Sequence, residues 1–321
     1  MAESLTLLSW PWSVAFTIIG AFALDRVFGE LPNHLHPLRA FGHWAGAIEK
    51  RLNHSPATSS KFTGLLALLL TLVLPLLVLF LLLNAIDNSL AAFLAGICLL
   101  YFSIGRQSLR QHALAIRDPL EAAQLALARE ATAMIVSRDT ATLDEEAIAT
   151  ACVESVLENG SDAVFAPVFW FVIGGPLAAI AYRLVNTLDA MWGYRNPRFE
   201  QFGWAAARLD DLLNLLPARC CALCYALAGN TGNALHCWQQ QGANWKSPNA
   251  GPVMAAGAGA LGIRLGGRAC YDNIISDRPL LGQGRAPFSI DIQRSLQLLD
   301  RALLVGFFLL LAVLSVLYYL Q

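Results

Sequence analysis

The feature that most constrains this chain is a run of 25 uncharged residues between Lys61 and Asp87, nearly all of them Leu, Val, Phe and Ala. A helix buried in a soluble protein is seldom apolar on every face for that length. Crossing the hydrocarbon core of a bilayer takes about 20 such residues. Uncharged runs also lie between Glu3 and Asp25 and after Arg301. We therefore predict an integral membrane protein.

The composition supports this class and excludes others. Only 14% of the 321 residues are charged and 56% are hydrophobic, whereas soluble proteins average about 25% charged residues. The net charge of −1 argues against a nucleic-acid partner. The seven cysteines include one CxxC, in Cys221–Cys224, without a second pair at zinc spacing. We therefore predict that the cysteines are structural and unpaired. We also predict that the protein is embedded in a lipid bilayer.

The predicted fold is all-α, a single integral membrane domain over residues 1–321 with four clear spans and two broken or re-entrant helices. The spans cover about 5–24, 62–83, 88–105, 164–184, 212–229 and 302–320, and the polar site segments are 25–61, 106–163, 185–211 and 231–301. The fourth span contains Gly174, Gly175 and Pro176, and the fifth contains Pro217 and Arg219. Each of these two is either a broken span or a re-entrant helix beside a polar cavity.

Basic residues predict the orientation. They concentrate in segments 25–61, 106–163 and 231–301, and loops rich in Lys and Arg face the cytoplasm. This places the polar site on the cytoplasmic side of the membrane. Segment 185–211 lies outside if both interrupted segments span fully, and inside if one is re-entrant. We favour the second arrangement.

An acidic stretch abuts the fourth span. Glu154, Glu158 and Asp162 recur at every fourth position, which puts them on one face of a helix that continues through Gly160. Three like charges repel one another, and Mg²⁺, which prefers oxygen ligands, would relieve the repulsion. A solvated acidic face is the alternative. The adjoining apolar segment favours function, because carboxylates at a membrane boundary are costly unless they are paired or used.

Further polar residues follow the fourth span. Asn186 and Asp189 are neighbours on one helix face, and Arg208 lies three residues before Asp211. The Arg208–Asp211 pair is either an ordinary helix ion pair or part of a site. Arg195 has no neighbouring acidic residue, which makes it a candidate for binding an anionic ligand.

Two other segments carry weaker signals. His34 and His36 lack a local third metal ligand, so binding of an anionic group by His36 and Arg39 is as plausible as a metal site. After Asn249, the run Gly257–Gly262 matches GxGxxG, but no strand precedes it, so a dinucleotide site is not expected. Close helix packing and phosphate binding at the helix start both remain open.

In this order the motifs resemble the CobD/CbiB membrane family of cobalamin biosynthesis, the adenosylcobinamide-phosphate synthases. The resemblance covers nearly the whole chain. It rests on Leu24–Asp25, His36–Pro37, Gly42, Val136–Thr140, Val153–Ser155, Glu158–Asn159, Ala166–Pro167, Phe169–Trp170, Tyr182–Arg183, Asn186–Asp189, Gly193–Asn196, Phe202–Asp211, Pro217–Arg219 and Ser247–Gly251. The chain departs at Gly29–Pro32, where the family usually has Gly-Asp-Pro, and at Glu158–Ala163, where it has Glu-Asn-Thr-x-Asp-Gly. The acidic residues are retained.

The resemblance implies a ligase that uses ATP and Mg²⁺ to join adenosylcobyric acid to (R)-1-amino-2-propanol or its O-phosphate. The corrinoid and the amine are then its small-molecule partners, and other cobamide-assembly membrane enzymes are candidate protein partners. Catalytic roles are assigned to Glu154, Glu158, Asp162, Asp189 and Asp211, the first three also as Mg²⁺ ligands. Substrate- or phosphate-binding roles are assigned to His36, Arg39, Arg138, Asn159, Asn186, Arg195, Arg208, Asp210 and Asn249.

Two functions of other classes remain as alternatives. AmpE-like membrane regulatory or sensor proteins share the Ala166–Trp170 core but lack most of the polar motifs, whose presence favours catalysis. The interrupted segments also suggest a corrinoid transporter, but transporters are commonly built from internal repeats, and no repeat is detectable in this sequence.

Overall fold

A computed structural model describes residues 10–30, 36–54, 59–136, 138–271 and 274–320; His34 and residues 5–9 lie outside them. The helical fold class is confirmed. The α-helices are α1 Trp10–Phe28, α2 Pro37–Leu52, α3 Lys61–Asn84, α4 Ser89–Ser103, α5 Arg106–Glu121, α6 Leu125–Ala133, α7 Glu145–Gly160, α8 Ala166–Trp192, α9 Trp204–Leu213, α10 Leu215–Ala228, α11 Thr231–Gln241, α12 Ala250–Leu261 and α13 Ser289–Tyr319. A π-helix, Ser161–Phe165, joins α7 to α8, and a 3₁₀ turn spans Gly242–Asn244.

Within the described ranges, four helical stretches are long and apolar enough to cross a membrane: Lys61–Asn84, Ser89–Glu121, Glu145–Trp192 and Ser289–Tyr319. They contain most or all of the predicted spans 62–83, 88–105, 164–184 and 302–320. The described part of the predicted span 5–24 lies in α1, which is not among the four. The pair α9–α10, bent by 47°, is the fifth candidate.

Both interrupted segments are broken, one of them where the sequence predicts. In α8 the backbone leaves helical geometry at Gly174 and at Gly175, whose φ of +69° suits glycine. In the other segment the bend falls at Asn214, between α9 and α10, before Pro217. Pro217 instead lies in the first turn of α10, where its missing N–H costs no helical hydrogen bond.

The chain forms two compact units. The first consists of Met1–Gly105 and Ala166–Asn214. In it, α2, α3, α8 and α9 share an apolar core that includes Leu68, Leu188, Trp192 and Phe202. Gly203 is required there, because a Cβ at this position would collide with the carbonyl oxygen of Trp192. That contact gives a packing reason for the glycine of the Phe202–Asp211 motif.

The second unit consists of Arg106–Phe165 and Leu215–Gln321. Its core is built around α7 and α12, both almost entirely buried. Gly257 approaches the Leu157 side chain and Gly259 the backbone of α11, so the glycine run serves helix packing. Gly262 ends α12 with a φ of +68°. The six cysteines whose side chains the structure describes are free thiols, as predicted.

A β-hairpin, β1 Arg264–Tyr271 and β2 Ile274–Gly282, was not predicted. The strands are antiparallel, pairing Arg264 with Gly282, and the register shifts between Leu265 and Gly267. Gly266 and Gly267 both have positive φ at this bulge. The hairpin packs on α11 and α12, and β1 also contacts α7.

Candidate functional site

In the second unit, the carboxylate of Glu154 is buried and bound by donors from two directions. Arg138 Nη2 donates to Glu154 Oε2 over 3.0 Å, and the side chains of both residues are less than 10% exposed. Asp144 caps the start of α7 by accepting the Ala147 N–H, and Glu154 follows on the buried face.

The β-hairpin supplies the other donors. Arg278 Nη1 donates to Glu154 Oε2 over 2.8 Å, and the Gly266 N–H donates to Glu154 Oε1 over 2.9 Å. Arg278 also donates to the carbonyl oxygens of Gly266 and Gly267 at 3.3 Å, and its guanidinium lies 5.4 Å from the Trp245 ring centroid. We call Arg138, Glu154, Arg278 and the Gly266 N–H the Glu154 cluster. It anchors the hairpin to α7.

The predicted acidic triad continues from α7 into the π-helix. Glu158 and Asp162 are half-buried and Asn159 is exposed; Asn159 donates to the Ser155 carbonyl oxygen over 2.9 Å. The hydroxyl of Tyr225 donates to the Leu157 carbonyl oxygen over 3.1 Å, which supports the chain where α7 ends. π-Helical segments inside helices are rare and are frequent at functional sites.

The Mg²⁺ prediction for this triad stays a prediction. Across the residues that the structure describes, no group of three or more His, Cys, Asp or Glu side chains is placed to hold a metal ion. Magnesium, however, is commonly bound through one or two protein carboxylates together with substrate phosphates. Glu158 and Asp162 fit that mode better than Glu154, whose oxygens already accept three hydrogen bonds.

In the first unit, Asp210 is held by amides. Asn186 Nδ2 donates to Asp210 Oδ1 over 3.2 Å, and Asn214 Nδ2 donates to Asp210 Oδ2 over 3.0 Å. The Tyr182 hydroxyl donates to Asn214 Oδ1 over 2.8 Å, and Arg183 Nη1 to Asn186 Oδ1 over 3.2 Å. We call Tyr182, Asn186, Asp210 and Asn214 the Asp210 cluster. It fixes α9 to α8.

The residue after Asp210 faces a more open environment. Asp211 is half-buried, and Arg208 Nη1 lies 3.9 Å from its Oδ2 while remaining 64% exposed. Arg195 also acts electrostatically on the Asp211 carboxylate. The ion-pair alternative for Arg208 and Asp211 therefore describes a loose contact, and both groups remain accessible.

The loop between α8 and α9 is pinned at its base. Arg198 binds both carboxylate oxygens of the buried Glu49 at 3.0 Å, and Asn53 donates to the Arg198 carbonyl oxygen. Arg195, three residues earlier, is exposed. At the end of α8, Asp189 folds over Gly193, where a Cβ would collide with its carboxylate.

His36 caps α2: its Nδ1 accepts the Leu38 N–H over 3.2 Å. Burial lowers the pKa of His36, and the nearby Arg183 acts in the same direction, while Glu30 opposes both. A neutral imidazole agrees with a ring nitrogen that accepts a hydrogen bond. Arg39 is exposed one turn into the helix.

Asn249 lies in the second unit, just before α12. Arg219 donates to Asn249 Oδ1 and, over 3.0 Å, to the Pro248 carbonyl oxygen. The Ser247 hydroxyl accepts the N–H groups of Asn249 and Ala250. The Pro217–Arg219 and Ser247–Gly251 motifs are thus one local structure, and Asn249 is buried in it.

The structure brings some predicted residues together and sorts the rest by unit. Arg138 meets Glu154, Asn186 meets Asp210, and Arg208 meets Asp211. Sequence reasoning missed Arg278, Tyr182 and Asn214, which complete the two clusters. It also missed Trp245 beside Arg278 and the ion pair between Arg198 and Glu49. Tyr182 lies in a motif already noted, whereas nothing near Arg278 in the sequence indicates a buried acid as its partner.

The described residues define a class: a polytopic helical membrane protein in which buried polar clusters hold its helices and one hairpin together. Comparison with known proteins gives the family. A family model described as CobD/Cbib protein matches residues 18–299. The chain therefore belongs to the CobD/CbiB family, as the sequence motifs predict.

Curated relatives agree over almost their full length. The cobalamin biosynthesis protein CobD of Stutzerimonas stutzeri is 52% identical over 286 residues, covering 89% of this chain and 93% of the relative. The protein of the same name from Chromobacterium violaceum is 48% identical, covering 88% and 91%. That of Leptospira interrogans is 35% identical, covering 88% and 90%. No solved structure matches the chain.

Proposed function

We propose that this protein acts in cobalamin biosynthesis as an ATP-dependent amide synthase. It joins a propionate carboxylate of adenosylcobyric acid to the amine of (R)-1-amino-2-propanol or of its O-phosphate. A carboxylate is a poor acyl donor, so its oxygen first attacks the γ-phosphorus of ATP and ADP leaves. The amine then attacks the acyl carbon and loses a proton, and inorganic phosphate leaves. Family membership and the names of the relatives support the role in cobalamin biosynthesis.

The observation that carries the proposal is the open group formed by Arg195, Arg208 and Asp211. Phosphoryl and acyl transfer need cations where negative charge develops, and guanidinium groups bind phosphate and carboxylate oxygens well. They also need a base for the amine's proton. Asp211 is an accessible carboxylate on a helix that the Asp210 cluster holds in place. We assign Asp211 or Asp189 as that base.

The remaining assignments follow the same chemistry. Glu158 and Asp162 would hold Mg²⁺, which would neutralise phosphate charge when bound. His36, Arg39, Asn159, Asn186 and Asn249 would complete the binding of the corrinoid and the amine. We propose the bacterial cytoplasmic membrane as the location, with these groups facing the cytoplasm, and other membrane enzymes of cobamide assembly as partners.

The test uses the full chain in lipid nanodiscs. Incubation with ATP, Mg²⁺, adenosylcobyric acid and the amine should give one ADP and one phosphate for each amide, with product identified by mass spectrometry. Parallel reactions with aminopropanol and with its O-phosphate determine which amine is used. ATP turnover that does not depend on both substrates, or corrinoid flux across liposomes without amide formation, would contradict the proposal.

The matched variants are Asp211→Asn and Asp277→Asn. Each residue carries a carboxylate beside an arginine, but Asp277 is a highly exposed residue of the hairpin paired with Arg268. Amide formation should fall only in Asp211→Asn. Equal amide formation by the two variants would show that Asp211 is not part of the active site.

A further inference from the structure

We propose that Arg138 is the centre of an anion subsite in the second unit that takes the phosphoryl group of a soluble substrate. Glu154 is its counter-ion, neither a metal ligand nor a base, and Arg278 is a positioning residue that shares Glu154. The inference deepens the proposed function and rests on it only for the identity of the substrate.

Charge is the first argument. The Glu154 cluster contains two guanidinium groups and one carboxylate, whose side chains are 5%, 9% and 8% exposed. Arginine does not lose its proton in proteins, so these three side chains together carry a net charge of +1. A buried charge without a counter-charge is strongly destabilising. Glu146 and Asp277 are exposed and pair with Arg264 and Arg268, and Glu158, one turn along α7 from Glu154, is half-buried. An anion beside the cluster would remove the imbalance.

Hydrogen bonding shows which arginine receives that anion. A guanidinium has five N–H donors. Arg278 uses its three nitrogens on Glu154, Gly266 and Gly267. Arg138, by contrast, makes one hydrogen bond to the part of the chain that the structure describes, from Nη2 to Glu154. The other four donors of Arg138 make no hydrogen bond to the described residues, and Glu154 holds them in orientation.

The ligand class follows from these donors. Guanidinium groups bind phosphate through two parallel N–H···O bonds, and the three oxygens of a phosphoryl group offer the remaining Arg138 donors more acceptors than the two oxygens of a carboxylate do. Two soluble sources share this chemistry in the proposed reaction: the nucleotide and the O-phosphate of the amine. The backbone carbonyls and the Trp245 ring around Arg278 keep that guanidinium on the hairpin.

The experiment measures binding without turnover, in the full chain in nanodiscs and in the absence of Mg²⁺. The probes are inorganic phosphate, a non-hydrolysable ATP analogue and aminopropanol O-phosphate. Aminopropanol is the control that lacks a phosphoryl group. Calorimetry should show that Arg138→Gln weakens the phosphate-bearing probes at least about tenfold, the loss expected for charge-assisted hydrogen bonds. Arg138→Lys should restore part of the affinity. Which probe binds most tightly identifies the source.

Glu154→Gln separates a counter-ion from a structural residue. Removing the carboxylate charge should tighten phosphate binding severalfold, whereas structural damage or loss of a metal ligand would weaken it or leave it unchanged. Arg268→Gln, on the same hairpin but exposed, should bind as the wild type does. If Glu154→Gln does not fold, the Arg138 series decides alone, because Arg138 makes a single described hydrogen bond.

Unchanged phosphate affinity in Arg138→Gln would overturn the inference. It would leave the proposed enzyme function open to its own test, which is the measurement of amide formation. Phosphate binding that needs Arg138 in a protein that forms no amide would retain the subsite and reject the reaction.

Discussion

Glu154 and Asp210 are both buried carboxylates, but their surroundings differ. Two guanidinium groups and one backbone N–H surround Glu154, whereas the amides of Asn186 and Asn214 each donate to one oxygen of Asp210. The first environment offers more positive charge than its carboxylate neutralises. The second offers hydrogen bonds without a cation in contact.

The difference separates two uses of a buried acid. Around Glu154, charge joins segments that are far apart in sequence and leaves a cation over for a ligand. Around Asp210, neutral donors fix the orientation of a helix, and its neighbour Asp211 carries the accessible charge. Equal burial therefore does not indicate equal roles.

The largest effect is expected for Glu154→Ala. It leaves two buried guanidinium groups without their carboxylate, which should destabilise the second unit by about 3–5 kcal/mol. Asp277→Ala, which removes an exposed partner, should cost about 0–1 kcal/mol. Denaturant unfolding in detergent compares the two, and added phosphate should recover part of the loss in Glu154→Ala. Similar unfolding midpoints for the two variants would show that Glu154 contributes no more to stability than an exposed carboxylate does.

Asp211→Asn should lower kcat for amide formation about 100-fold, as expected when a proton acceptor is removed. Its folding should be little changed, because Asp211 is only half-buried and its ion pair with Arg208 spans 3.9 Å. Single-turnover kinetics with saturating substrates isolates the chemical step. A loss confined to KM would make Asp211 a binding group.

Asp210→Ala should destabilise the first unit by about 1–3 kcal/mol, since it leaves two amide donors without their acceptor. Asp210→Asn keeps the size but replaces one acceptor oxygen with a donor, so its cost should be smaller. Thermal unfolding of both, beside Glu154→Ala, tests whether the amide-held cluster is the weaker one. A larger loss for Asp210→Ala than for Glu154→Ala would reverse the ranking.

The smallest effect concerns pH and His36. Its pKa is lowered by burial, so the folded state binds this proton less readily than the unfolded state, and stability should fall as pH drops below about 6.5. His36→Asn keeps a helix-capping side chain without titrating. The free energies of unfolding at pH 7.5 and 6.0 should differ less in this variant than in the wild type, by at most about 1 kcal/mol. Identical pH dependence in both proteins would show that His36 does not contribute.

Local rules predicted part of this fold. The uncharged run after Lys61 forms α3, and the Gly174–Pro176 break lies inside α8. Each depends on residues only a few positions apart, so the sequence shows both the cause and the effect. The same locality explains why the bend at Asn214 was placed too late, since Pro217 was the visible signal but fits a first helical turn.

Long-range partners account for what was missed. The Gly266 N–H and its acceptor Glu154 are separated by 112 residues, and no spacing rule connects them. Without that partner, β1 and β2 give a weak strand signal, with glycines in one and Pro279 in the other. The i, i+4 spacing of Glu154 and Glu158 is present as predicted, but Glu154 is buried and bound by the hairpin, whereas Glu158 is half-buried.

The separation of Glu154 and Gly266 in the sequence also determines when the Glu154 cluster can form during synthesis. Ribosomes add about 5–20 residues per second, so Gly266 follows Glu154 by roughly 6–20 s over the 112 intervening residues. Until then the nascent second unit has Arg138 as the local cation for Glu154. Chains cut short before the hairpin therefore emerge with an incomplete charge cluster, in which Glu154 lacks the donors from Gly266 and Arg278.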